Sequence, residues 1–297
     1  MTELRTRPCR LDDAAAIAGL INAAMVAGGG RGGYAASEVE QELRRSPDTR
    51  ALVDPDDRLI AAALVPRPPE GGDHVELIGA VDPAHRGQGI GRDLLAWQLA
   101  HAGTWEPQVI AAVSDTSTIR LFERAGFTPM RYFLEMSAPT GVPAIPPPGT
   151  VQITGFEPSQ AQQLYRVHAD AFHGLWGHQE QTYAEWSAGT VDAAHFRPEL
   201  ARLAVVDEAI VAYVLPYDRG TLYIGQVGTA QSWRRHGIAA ALLTSVLAAA
   251  AQAGYPTATL DADSANPTGA PAVYTRAGFV VDQHIAVYRR TPATTRL

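Results

Sequence analysis

The chemistry in this sequence is carried by two short patterns, each of which occurs twice. His85-Arg86-Gly87-Gln88-Gly89-Ile90-Gly91 has a partner in Trp233-Arg234-Arg235-His236-Gly237-Ile238-Ala239. Both read Arg-x-x-Gly-x-Gly/Ala, and both lead from a strand-like segment into a helical one. Small residues at such a turn let the backbone come close to a ligand. Several amides at the helix N-terminus then converge on one anion, such as a pyrophosphate, and the helix dipole favours it. Arg86, Arg92, Arg234 and Arg235 add positive charge. A P-loop is excluded because it needs Gly-Lys-Ser/Thr, and the sequence contains no lysine. A dinucleotide fingerprint needs a different glycine spacing.

The second pattern is Leu121-Phe122-Glu123-Arg124-Ala125-Gly126-Phe127, repeated as Val273-Tyr274-Thr275-Arg276-Ala277-Gly278-Phe279. Gly89 and Gly237 lie about 150 residues apart, and so do Gly126 and Gly278. Two unrelated patterns at nearly one offset mean one module used twice. Between the copies, 138–150 is rich in Pro and Gly and includes Pro146-Pro147-Pro148-Gly149, which suits an extended linker. The expected division is therefore a domain over 1–137, a linker over 138–150 and a domain over 151–297.

The elements that must position these patterns read alike in both halves. A first strand and helix are followed by a strand pair separated by an Asp-containing turn (50–53 and 59–66; 202–206 and 209–216). A strand then leads into each glycine turn (74–81; 221–229), followed by a helix and another strand (108–113; 257–262). A helix carrying Phe122 or Tyr274 and a last strand (131–136; 284–289) close each half. This order predicts an α/β fold with a mixed sheet.

A chain of 297 residues accommodates two such domains. The net charge of −7 argues against nonspecific nucleic-acid or membrane-surface binding. No apolar run reaches the roughly 18 residues of a spanning helix, and the polar start 1–10 lacks a signal-peptide core. A cytoplasmic location is the expectation. The single cysteine, Cys9, rules out an internal disulfide framework and a Cys-based zinc site.

Both halves resemble the GNAT superfamily of acyl-CoA N-acyltransferases. The resemblance rests on Val81-Asp82-Pro83-Ala84-His85-Arg86-Gly87-Gln88-Gly89-Ile90-Gly91-Arg92, and on Asn266-Pro267-Thr268-Gly269-Ala270 leading to Tyr274 and Gly278-Phe279. The tandem layout resembles the mycothiol-synthase-type subgroup. The resemblance implies two tandem domains, each a mixed, splayed central sheet flanked by helices, with acetyl-CoA as acetyl donor and no metal. The pantetheine arm would lie in the V between the fourth and fifth strands, against the backbone of Gly79, Ala80 and Val81 in one half and Val227, Gly228 and Thr229 in the other. The phosphates would meet Arg86 and Gly87–Arg92, and Arg234, Arg235, His236, Gly237, Ile238, Ala239 and Ala240, with Asn266 as a further donor contact.

The resemblance also makes the halves unequal. Tyr274 matches the family's general acid. Asp261 stands where ribosomal-protein N-acetyltransferases of the family carry a general base, although a solvated strand-end carboxylate is the alternative. Asp263, two residues on, falls on the same strand face. The first half has Phe122, Ile110 and Asp115 at the places of Tyr274, Asp261 and Asn266, so it is expected to keep a phosphate loop without the acid. The implied activity is acetylation of a primary amine on a small molecule. Acetylation of protein N-termini and acyl-CoA binding without turnover are the alternatives. The aromatic and His-rich stretch 165–186 reads either as an acceptor wall or as helix packing. The chain is expected to act as a monomer or homodimer.

Overall fold

The computed structural model describes residues 4–68 and 72–290. The chain forms two compact units. One runs to Tyr132 and resumes at Gln283; the other is Phe133–Asp282.

The first unit contains β1 (Arg5–Arg7), α1 (Ala14–Ala27), α2 (Ala36–Arg45), β2 (Asp48–Val53), β3 (Leu59–Val65), β4 (His74–Glu76), β5 (Ile78–Val81), α3 (Ile90–His101), β6 (Glu106–Ala112), α4 (Thr116–Arg124) and the start of β7 (Thr128–Pro139). The second holds the rest of β7, then β8 (Gln152–Gly155), α5 (Ala161–Phe172), α6 (Tyr183–Gly189), β9 (Arg202–Val206), β10 (Ala209–Asp218), β11 (Leu222–Thr229), α7 (Ile238–Gln252), β12 (Thr257–Asp263), α8 (Ala270–Arg276) and the start of β13 (Val280–Arg289).

In the second unit the strand order is β7-β12-β11-β10-β9-β8, and β11–β12 is the parallel pair. β10 is buried along most of its length because both faces are covered. Tyr213 and Leu215 pack toward α5 and α6, while Ala212 and Val214 pack toward α7. The Ala-rich run 239–251 is buried as α7, which inserts Leu242, Leu243, Val246 and Leu247 into that core. Among the described residues no helix is long and apolar enough to cross a membrane.

The first unit repeats the plan. β1-β2-β3-β5 form one sheet, with Ala62 and Leu64 facing α1 and Ala61 and Ala63 facing Leu94 of α3. The single strand expected over 74–81 is two strands. β4 pairs parallel with β6, and β5 pairs antiparallel with β3, because the chain leaves β6 after Leu77, whose N–H still donates to Gln108 O.

The last strands depart from the sequence reading. β7 pairs antiparallel with β12, from Asp263↔Phe133 to Thr257↔Pro139. β13 pairs antiparallel with β6, from Ile285↔Ala112 to Arg289↔Gln108. Each half thus gives its last strand to the other repeat's sheet. The Pro/Gly-rich stretch 138–150 lies within the second unit, strapped across it. Thr140 N–H donates to Pro256 O, and Ile145 N–H to Thr244 Oγ1. Equivalent strands in a duplicated fold present equivalent edges, so spacing alone leaves the choice of sheet open.

A protease site inserted at Pro146–Gly149 tests the exchange. After cleavage the two fragments should co-elute in native gel filtration and part in denaturant, because β7 and β13 remain in each other's sheets. Separation under native conditions would contradict it.

Candidate active site

The parallel ladder between β11 and β12 lasts for two residue pairs, Leu222↔Ala258 and Tyr223↔Thr259, and then the strands part. The cause lies on the far edge of β11. The β10–β11 register slips there, pairing Leu215 with Gln226 and Pro216 with Ile224, so Gly225 is an extra residue. Pro216 has no N–H to continue a ladder, and a bulge bends and twists its strand. Gly225 must lack a side chain: an added Cβ would lie 2.5 Å from the Tyr217 ring.

The gap is a cleft of about 340 Å³. One wall is β11, with Gln226, Val227 and Thr229, and the other is β12, with Asp261 and Asp263. Asn266 and Tyr274 line the far side. Arg234, Arg235, Gly237, Ile238, Ala239 and Ala240 line its mouth at the start of α7. Two expected residues are absent from this lining. Gly228 faces away, and an added Cβ there would sit 2.3 Å from the Tyr213 ring. His236 is exposed, its ring 6.1 Å from that of Trp233.

The turn before α7 is shaped to hold an anion. Arg235 has φ 64° and Gly237 φ 83°, two left-handed residues that turn the loop into the helix start. Arg234 is tied elsewhere: its guanidinium donates to Ala171 O at 2.8 Å, fixing the turn to the end of α5. Gln231 N–H donates to Asp170 Oδ2 at 2.7 Å and fixes the same junction.

Burial alternates along β12, with Ala258, Leu260 and Ala262 inward and Asp261 and Asp263 on the other face. Asp261 keeps solvent contact through the cleft, yet the crowding of protein around it raises its pKa. The Tyr223 hydroxyl, donating at 3.1 Å to Asp261 Oδ2, and the charge of Arg219 act in the opposite direction. Arg219 lies 4.1 Å above the Tyr223 ring. Burial pushes the Tyr274 hydroxyl up to about 12, and its ring packs edge-on to Phe279 at 6.3 Å. Asn266 is engaged locally, its Oδ1 accepting from the Thr268 N–H at 2.9 Å. Tyr223 escaped the sequence reading because its partnership with Asp261 depends on the β11–β12 register.

The first unit carries the same turn with a different outcome. Gly87 (φ 78°) and Gly89 (φ 87°) repeat the left-handed pair, and Arg86 donates to Ala24 O of α1 at 2.7 Å, as Arg234 does to α5. Here the end of α1 lies on the turn between β6 and α4. Ser114 Oγ donates to Gly28 O at 2.8 Å, and Arg86 reaches within 3.5 Å of Asp115. Added Cβ atoms at Gly28 and Gly29 would lie 2.6 Å from Asp115 Oδ2 and 2.9 Å from Ser114 Oγ. In the second unit the matching places, around Leu175 and Asn266, stand apart as walls of the cleft.

Most of the remaining first-unit candidates have structural partners. Ala80 packs toward α1, Val81 toward the Leu94 cluster, and Gly79 lies against Gln98, whose Nε2 donates to Leu64 O and Ile78 O. Gly91 faces Leu121, and Arg92 pairs with Asp93 on the surface. Ile90 joins the Leu94 cluster, and Gln88 is exposed. Phe122 is buried between Phe127 and Tyr288, and Ile110 is exposed. Asp115 caps α4 by accepting from Thr118 N–H at 3.0 Å.

Residues 161–279 match the acetyltransferase (GNAT) family, and residues 49–129 match an acetyltransferase (GNAT) domain. Together these span more than half of the chain. The chain belongs to the GNAT acetyltransferase family. It is a tandem GNAT protein and an acyltransferase. A mycothiol acetyltransferase from Clavibacter sepedonicus is 29% identical over 235 residues, covering 75% of this chain and 74% of that protein. The crystal structure of a GCN5-related N-acetyltransferase from Sphaerobacter thermophilus superposes with a TM-score of 0.80 at 28% identity, covering 97% of this chain and 95% of the other. A tandem GNAT protein from the clavulanic acid biosynthesis pathway shares the fold, with a TM-score of 0.69 at 18% identity and coverage of 97% and 98%.

In this GNAT protein, Gly228→Ala should destabilise the second unit, because Tyr213 is fully buried and has no room to retreat from a Cβ. The expected loss is about 1–3 kcal/mol, read as a lowered midpoint in denaturant. An unchanged midpoint would show that the Tyr213 ring is free to move.

Proposed function

We propose that the second unit moves an acetyl group from acetyl-CoA to the primary amine of a small molecule by direct attack on the thioester. The supporting observation is the placing of Asp261 and Tyr274 along one cleft whose mouth is the α7 turn. GNAT acetyltransferases take their acetyl group from acetyl-CoA. In this reading the pyrophosphate meets the amides from Gly237 to Ala240 and the Arg235 side chain, and the pantetheine arm follows the β11 edge that β12 leaves unpaired.

The amine gives a proton to Asp261, directly or through water, and its lone pair attacks the thioester carbon. A β11 backbone N–H near Gln226 and Val227 receives the negative oxygen. The intermediate expels the thiolate, and Tyr274 returns a proton to it. The products are the amide and free CoA thiol. With its pKa raised to about 12, Tyr274 holds its proton at neutral pH and is a donor. The raised pKa of Asp261 makes it a stronger base than a fully solvated carboxylate.

A relative named mycothiol acetyltransferase supports a small-molecule acceptor. We assign no turnover to the first unit, since Phe122 has no proton to give and Ile110 has no lone pair to take one. Its α1 end, seated on Ser114 and Asp115, occupies the space that the donor fills in the second unit.

Tyr274→Phe should lower kcat by about 100-fold or more while acetyl-CoA affinity, measured by calorimetry, is kept. Equal losses in both would remove Tyr274 from the acid role. The acid limb of kcat/KM tests Asp261. A base must be unprotonated, so activity should fall as pH drops through a pKa above the ordinary carboxylate value. The Tyr223 hydroxyl stabilises the carboxylate, so Tyr223→Phe should move that limb to higher pH. A limb that stays put would exclude Asp261 as the base.

A further inference from the structure

A second cavity, of about 440 Å³, adjoins the cleft and shares Phe172, Leu175, Gly225, Gln226, Asp263 and Asn266 with it. Its outer wall carries His168, Trp176 and His178. Behind it runs a chain of hydrogen bonds with a fixed direction. The Tyr213 hydroxyl donates to Gln226 Oε1 at 3.3 Å and lies 2.8 Å from His168 Nδ1. An amide oxygen only accepts, so with the Tyr213 proton on Gln226 Oε1 the matching tautomer of His168 donates from Nδ1 to Tyr213.

His168 is buried, and its pKa is pushed down to about 4, by burial first and then by His178, with Gln226 acting in the opposite direction. It is therefore neutral at physiological pH. With its proton on Nδ1, its Nε2 carries a lone pair. Gln226, held through its oxygen, keeps its N–H2 group for a ligand. Tyr213 is clamped in turn, since its ring occupies the space that Gly228 leaves open.

The cavity wall thus combines a neutral hydrogen-bond donor, Gln226, with a neutral acceptor, His168, next to the place where the amine must attack. A hydroxyl group both accepts and donates. We propose that Gln226 and His168 are specificity-determining residues that together recognise a hydroxyl group on the acceptor beside its reactive amine, with Tyr213 as the positioning residue. This rests on the transfer reaction proposed for the second unit. The acceptor class is then a 2-amino alcohol, including amino sugars.

The test measures CoA thiol release with matched sets of amines: a 2-amino alcohol, its O-methyl ether and the amine lacking the oxygen, for example 2-aminocyclohexanol, 2-methoxycyclohexylamine and cyclohexylamine, together with amino-sugar sets. The hydroxyl compound should exceed both partners in kcat/KM by about tenfold or more. The ether keeps the electron-withdrawing oxygen and so controls for the lowered basicity of the amine, while it accepts a hydrogen bond and donates none. Gln226→Met and Tyr213→Phe should each cut that preference to below about threefold. Tyr213→Phe keeps the ring beneath Gly228, and its denaturation midpoint checks the fold. Equal rates across each set, or a preference unaltered in both variants, would overturn the assignment. If none of these amines raises thiol release above the amine-free blank, the transfer reaction itself is overturned.

Discussion

The parting of β11 from β12 is the constraint on which the rest of the second unit depends. A parallel pair satisfies its backbone polar groups across the ladder, and ending it early leaves strand edges that need another partner. The β10–β11 bulge at Pro216 and Gly225 bends β11 away at a fixed place, and Gly225 supplies a residue that fits beneath Tyr217. Past that point β11 faces a cleft rather than a strand. Asp261 and Asp263 on the opposite wall and Tyr274 on α8 gain their access to one another from that opening.

Duplication makes the contrast between the units informative. Arg86 and Arg234 make the same bond to the end of a helix, and Gly87 and Gly89 repeat the left-handed residues of Arg235 and Gly237. The scaffold for an anion turn therefore persists in both. The space beyond the turn differs. Three successive glycines, Gly28 to Gly30, let the α1 end settle onto Ser114 and Asp115, where Leu175 of the second unit stands off. Small side chains and two polar contacts are enough to change an open groove into an internal surface, without altering the turn that both copies share.

Much of this was legible in the residues. The paired glycine turns and the Tyr274/Phe122 difference follow from spacing, and period 2 put Asp261 and Asp263 on one face, as β12 has them. What stayed hidden depends on register and long-range pairing. The exchange of β7 and β13 leaves no local trace, because either strand fits either sheet edge. Tyr223 meets Asp261 across two strands that share two residue pairs. Arg234 lines the cleft mouth as its spacing suggests, but its bond to Ala171 O, which ties the turn to α5, is a long-range contact that the residues do not show. The contacts that leave no room for a side chain at Gly28, Gly29 and Gly30 are likewise long-range.

Hydrogen–deuterium exchange of the whole chain with and without acetyl-CoA addresses the donor site most directly. A donor seated in the second unit should slow exchange across 224–240 and 261–276 and leave 78–92 unchanged. Slowing at 78–92, alone or to the same degree as in the second unit, would contradict the assignment of the open cleft as the donor site and the α1 end as the filling of the other.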